Sequence, residues 1–316
     1  MKSSNIGGQA VMEGIMMRSG DRYSIGVRKP DGEIEVKVEP YKSWAKDSSI
    51  WKLPVFRGVA SFFESLIVGI QCLMYSASFI EDEEEEDTGK PKKEKTEEQK
   101  EKEEKWLMYG TMTFSIVFSI ALFIMLPYFL ASFLRNVTTS EGLIAVAEAC
   151  VRMILFLGYL VLISRMKDIQ RVFMYHGAEH KCINCVEHGL ELNVENVMKS
   201  SREHKRCGTS FLLFVMIVSI IFFLFIRVSS PVLRVVIRLL LMPVIAGVSY
   251  EIIRLAGKSD NKIVALLSKP GLMLQHLTTR EPEPEMTEVA IAAVEAVFDW
   301  RSYLKENFPE QYGEES

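Results

Sequence analysis

From Trp106 to Leu134 the chain carries no charged residue, a run longer than the roughly 20 apolar residues that take a helix across a bilayer. Hydrocarbon offers no partner to backbone N–H and C=O groups, so a run of this kind is read as a membrane helix. Gly142 to Ser164 is a second span, interrupted only by Glu148 and Arg152, which stand four apart and can neutralise each other on one helical face. Cys207 to Ile226 is a third run of spanning length, again without charge. A fourth, near Pro231 to Ala256, holds Arg234 and Arg238 early and Glu251 and Arg254 late. Its two early arginines are read first as anchors that snorkel to the headgroups, and otherwise as lining a polar cavity. The expectation is a mainly α, multi-pass membrane protein with about four transmembrane helices in two pairs, 106–164 and 207–256.

The distribution of Lys and Arg orients these spans. The segment before the first is rich in both, the 135–141 connection has only Arg135, and 165–206 is rich again. The 165–206 segment and both termini are therefore expected in the cytoplasm, at the cell membrane. Trp51 to Ile80 is apolar after Glu64 but has lysines on both flanks, Lys42, Lys46 and Lys52 before and Lys90, Lys92 and Lys93 after. One crossing would strand a basic flank outside, so 51–80 is expected as an amphipathic or re-entrant helix at the interface, with Arg57 and Glu64 on one face. Residues 81–105 alternate blocks of Glu and Lys and cannot bury a core, which makes them a charged linker.

Before residue 50 the pattern turns to period two. Arg22–Lys29 and Glu33–Glu39 flank Pro30-Asp31-Gly32, and Ile34, Val36 and Val38 alternate with charges. This predicts a hairpin with one buried face, in a small N-terminal cytoplasmic β-sheet that also takes Gly8 to Met17 as a strand. The first residues have none of the regions of a cleaved signal peptide, which is read as keeping them in the cytosol. In the 257–316 tail, Met286 to Phe298 has helical spacing. The net charge of −4 is small for 316 residues, and no basic stripe with interleaved aromatics points to nucleic acid. The lipid bilayer is the partner the composition names; protein partners and substrate stay open.

Four of the five histidines fall between positions 176 and 204, with Cys182, Cys185 and Cys207 in or just past that window. Five cysteines in a chain whose polar parts look cytosolic favour reduced thiols or metal ligands over disulfides. Tyr175-His-Gly-Ala-Glu-His180 is an H-x-x-E-H string; on a helix His176 and His180 share a face and reach one ion. Glu179 beside them is the candidate catalytic base, as in inverted zinc peptidase motifs. Gly177 counts against a stiff helix. Further ligands are sought among Glu187, His188, His204 and Cys207, with His204 and Cys207 favoured because both stand at the entrance to the third span. Cys182-Ile-Asn-Cys185 is a competing source. The bland alternative is a set of histidines that bond headgroups or backbone. The metal set is thus His176, His180, His204 and Cys207, around a divalent cation with zinc as the first choice.

Gly7-Gly-Gln-Ala-Val-Met-Glu-Gly-Ile-Met-Met-Arg18, Tyr175-His-Gly-Ala-Glu-His-Lys181, His204-Lys-Arg-Cys-Gly-Thr-Ser-Phe211, Tyr250-Glu251 and Thr278-Thr-Arg-Glu-Pro282 resemble the YqhQ-like family, bacterial membrane proteins of unknown function that are sometimes described as predicted metal-dependent enzymes. The resemblance runs over nearly the whole chain. It implies that His176, Glu179, His180, His204 and Cys207 belong to the family pattern, and that Cys182 stands where relatives have threonine. It also draws in Glu13, Arg18, Arg57 and Glu251. Glu13, Glu187 and Glu251 are candidate carboxylates of an outer shell, with local ion pairing as the alternative for Glu13 and Glu251.

Three functions follow as expectations. The first is a metal-dependent hydrolase at the cytosolic face, acting on a peptide or a lipid-linked ester, with Arg206 stabilising the oxyanion. The second is a scaffold or assembly factor stapled by a structural metal. The third is a small transporter resting on Glu148, Arg152, Arg234 and Arg238.

Overall fold

A computed structural model describes residues 2–43, 49–87, 97–226, 228, 230–258 and 261–312. Lys46, Lys90, Lys92 and Lys93, and the middle of the expected charged linker, lie outside them. The chain divides into two compact units. The first comprises Met1–Glu83, Leu162–Val215 and Pro243–Ser316; the second comprises Glu84–Val161 and Met216–Met242.

The first unit opens with a four-stranded antiparallel sheet in the order β1-β2-β3-β4: β1 Gly7–Val11, β2 Gly14–Ser19, β3 Arg22–Arg28 and β4 Ile34–Pro40. The hairpin read around Pro30-Asp31-Gly32 is β3–β4, with Gly32 at φ 87° and Asp31 accepting from the Glu33 amide. The single strand expected over Gly8 to Met17 is instead the hairpin β1–β2, paired from Gly7 with Arg18 to Val11 with Gly14. Its turn needs a positive φ, and Glu13 adopts it at 47°. Nor is one face of the sheet left open. Ile15 and Met17 join Met286, Val289, Ala290 and Ala293 in one core, whereas Val11, Met16, Tyr23, Ile25 and Val27 pack with Cys72, Val68 and Phe79 on the other side. Helices on both sides explain why β2 and β3 are buried on both faces.

The helices are α1 Phe56–Asp87, α2 Glu97–Ile120, α3 Leu126–Ser132, α4 Glu141–Ile163, α5 Lys167–Glu187, α6 Val194–Lys199, α7 Gly208–Phe225, α8 Pro231–Lys258, α9 Lys262–Thr278, α10 Pro284–Glu295, α11 Trp300–Asn307 and α12 Pro309–Tyr312. A π turn, Ala121–Met125, joins α2 to α3 just before Pro127, a usual site for such a bulge because proline cannot donate to the preceding turn. Five segments are long and apolar enough to cross a membrane: Phe56–Ile80, Tyr109–Asn136, Glu141–Ile163, Gly208–Phe225 and Val232–Gly257. Four are the runs read from the sequence. The fifth is the 51–80 segment expected at the interface, whose length and composition also permit a crossing.

In the second unit Glu148 and Arg152 pair at 2.7 Å, as their spacing suggested. Arg238, expected first as a headgroup anchor, is instead buried and paired with the same carboxylate at 2.5 Å.

Candidate metal centre

α5 carries His176, Glu179, His180 and Glu187, and a loop after α6 carries Arg202, His204, Arg206 and Cys207 into the start of α7. The rings of His176 and His180 are 4.4 Å apart, as i,i+4 spacing dictates. Cys207 Sγ lies 3.3 Å from His176 Nε2, and ligand atoms of His176, His180 and Cys207 all fall within 4.8 Å of one another. His180 is 1% exposed and Cys207 4%.

The second nitrogen of each imidazole decides what the first can do. His176 Nδ1 is 2.8 Å from the Thr278 carbonyl and His180 Nδ1 is 2.5 Å from the Arg202 carbonyl. A carbonyl only accepts, so each Nδ1 bears a proton, and in a neutral imidazole so bonded it is Nε2 that carries the lone pair. His180 Nε2 is buried without a hydrogen-bond partner. This is the outer arrangement that orients metal-binding histidines. Thr209 N–H donates to Cys207 Sγ at 3.3 Å.

Side chains of the same helix fix the loop that delivers the cysteine. Lys181 Nζ donates to the Met198 and Ser200 carbonyls, and Asn184 Nδ2 to those of Ser201 and Glu203. From α9, the buried Gln275 brackets His204, accepting from its amide at 2.9 Å and donating to its carbonyl at 2.8 Å. Gln275, Thr278 and Arg202 escape sequence reasoning; two of them act through backbone carbonyls, which any residue would supply. Gly177 has a positive reason to be glycine. A Cβ there would collide with the Arg280 carbonyl oxygen, while the Arg280 amide donates to Phe173 at 2.8 Å.

Glu179 is buried against β1: a Cβ on Gly8 would sit 2.9 Å from its carboxyl carbon. Burial raises this carboxyl, and His176 and the Gly8 amide only partly oppose the rise. Glu187 behaves oppositely. Burial raises it, but the neighbouring His204 ring, the Arg206 guanidinium and the amide and hydroxyl of Ser4 outweigh that and hold it at about 2.

Several expected residues do not join the three. His204 turns its Nε2 toward Arg206 Nη2 at 3.4 Å and Glu187 Oε2 at 3.8 Å, and burial holds it below its ordinary value. Arg206 is engaged by Glu187 and Ser3, so it is not a free oxyanion donor. Cys182 and Cys185 lie in the apolar core, where burial pushes the Cys182 thiol well up and that of Cys185 to about 11. His188 Nδ1 bonds the Asn184 carbonyl. Glu13 pairs with Arg171 at 2.5 Å, and Glu251 with Arg57 at 2.6 Å. Arg18 stacks on Tyr41.

Comparison with known proteins agrees with the motif resemblance. Residues 53–300 match the family described as "Protein of unknown function (DUF1385)". The chain is 38% identical over 312 residues to "Uncharacterized protein YqhQ" of Bacillus subtilis (strain 168), covering 95% of this chain and 94% of that protein. No solved structure matches. A match over most of its length, with a relative this similar end to end, makes the chain a member of the DUF1385 family.

Proposed function

We propose that this membrane protein is a metal-dependent hydrolase whose His176, His180 and Cys207 hold one divalent cation, zinc first among candidates. The observation that supports this most is the buried His180 Nε2, which has no hydrogen-bond partner, beside the His176 imidazole and the Cys207 thiol. Two imidazoles and a thiolate suit a borderline-soft cation. Among the described residues no fourth histidine, cysteine or carboxylate joins this group, and three protein ligands with a vacant fourth direction are the pattern of catalytic zinc. A bound cation supplies Lewis acidity there. Glu179, next to His180 and coupled to His176, holds and passes the proton. The lysine and arginine excess of 165–206 supports a cytosolic face for the centre.

The burial of His180 and Cys207 favours a second reading, a structural staple. Metal analysis of detergent-purified protein tests the common ground: about one equivalent is expected, lost together in His180→Ala and Cys207→Ala. Absence of stoichiometric metal from wild type refutes both readings. Glu179→Gln then separates them. A catalytic centre keeps its metal and loses metal-dependent hydrolysis of ester and peptide substrates, whereas a staple has no such activity to lose and melts lower once chelated.

A further inference from the structure

The second unit holds a separate buried polar cluster whose imbalance has the opposite sign. Glu148 from α4, Arg152 one turn later and Arg238 from α8 are all buried, and both guanidinium groups share the one carboxylate. Phe223 of α7 takes both guanidiniums at 4.8 Å from its ring centre. One carboxylate cannot satisfy two arginines: Arg152 Nε and Arg238 Nε are buried without hydrogen-bond partners. A cavity of about 80 Å³ adjoins them, lined by Glu148, Phe223, Arg234 and Arg238 at the ends of these helices. Arg234 adds a further positive charge; it donates to the Val228 carbonyl and stacks on Tyr128, with no carboxylate of its own among the described residues. The last acid lining the cavity, Glu141, is already held by both terminal nitrogens of Arg135. At roughly 30 Å³ per water the cavity takes a few waters or one phosphate group.

We infer that this cavity binds a phosphate group, with Arg238 and Arg234 as its donors and Glu148 setting its affinity. Surplus guanidinium charge in an apolar surrounding calls for an anion, and a fork of planar N–H donors beside a small cavity matches phosphate oxygens. The phosphate can come from an anionic phospholipid, whose tails would lie along the apolar helices, or from free phosphate.

Native mass spectrometry of the full-length protein in detergent, titrated separately with phosphatidylglycerol and with inorganic phosphate, tests the site. One phosphate-bearing ligand is expected per chain, bound at least about tenfold more weakly by Arg238→Gln and Arg234→Gln. Arg238→Gln leaves the Glu148–Arg152 pair intact, so the variant is expected to fold. Glu148→Gln removes the competing carboxylate and is expected to bind more tightly. A purely structural ion cluster would not produce these opposite signs. Saturation by the lipid without competition from phosphate identifies the lipid as source, and binding of phosphate alone identifies the free ion. Failure of both to bind, or equal binding by wild type, Arg238→Gln and Glu148→Gln, overturns the inference.

Discussion

The candidate metal centre and the arginine cluster are both buried and polar, yet what each leaves unsatisfied differs in kind. At the centre the imidazole N–H groups of His176 and His180 have carbonyl acceptors, and a lone pair on His180 is left over. In the cluster one carboxylate is consumed by two arginines, and N–H donors are left over. Leftover lone pairs call for a cation and leftover donors for an anion. The means of holding the groups differ as well. Backbone carbonyls fix His176 and His180, whereas side-chain charge and one aromatic ring hold the arginines.

That contrast predicts unequal tolerance. The largest effect is expected from Gly177→Ala. Alanine in a helix interior ordinarily stabilises by up to about 1 kcal/mol, but here its methyl meets the Arg280 carbonyl oxygen. A loss of about 3 kcal/mol or more in thermal or denaturant unfolding is expected; a gain would mean that the backbone frame around His176 gives way easily. Next comes Glu187. Its carboxyl is depressed to about 2 in the fold, so its stabilisation is complete above the ordinary value near 4.5 and is lost as pH falls from there through about 2. The contribution is on the order of 3 kcal/mol. Melting temperature followed over that window should fall more steeply for wild type than for Glu187→Gln, and parallel curves would contradict the assignment. Gln275→Ala strands the amide and carbonyl of His204 and is expected to cost about 2 kcal/mol, with metal affinity down roughly tenfold or more. The smallest effect is expected for Arg238→Gln, within about 1 kcal/mol, because Glu148 keeps Arg152. A loss as large as that of Gly177→Ala would erase the contrast between the two regions.

The sequence reveals some of these features and conceals others, for physical reasons. Long apolar runs, two of them free of charge, mark four spans, and period-two alternation marks β3 and β4, because burial writes directly into side-chain polarity. The i,i+4 spacing of His176 and His180 places them together, and Cys207 joins them where the loop enters α7. What the sequence hides is carried by backbone. The carbonyls of Thr278 and Arg202 orient the rings of His176 and His180, and Glu13 forms a left-handed turn inside an apparently continuous strand. His204 looked equivalent to Cys207 by proximity. Its partners, Glu187 and Arg206, become visible only when the N-terminal segment reaches Glu187 through Ser4. The Cys182–Cys185 pair carries a motif's spacing, but its thiols lie in the core between α5 and α10.

The central claim is that two imidazoles and one thiolate share one cation. X-ray absorption at the zinc edge of the purified, metal-loaded protein measures this directly. The expected spectrum has two nitrogen scatterers assignable to imidazole at about 2.0–2.1 Å and one sulfur at about 2.3 Å, with the sulfur absent in Cys207→Ser. A shell of oxygen and nitrogen without sulfur, or a sulfur signal that survives Cys207→Ser and vanishes in Cys182→Ser, would contradict it.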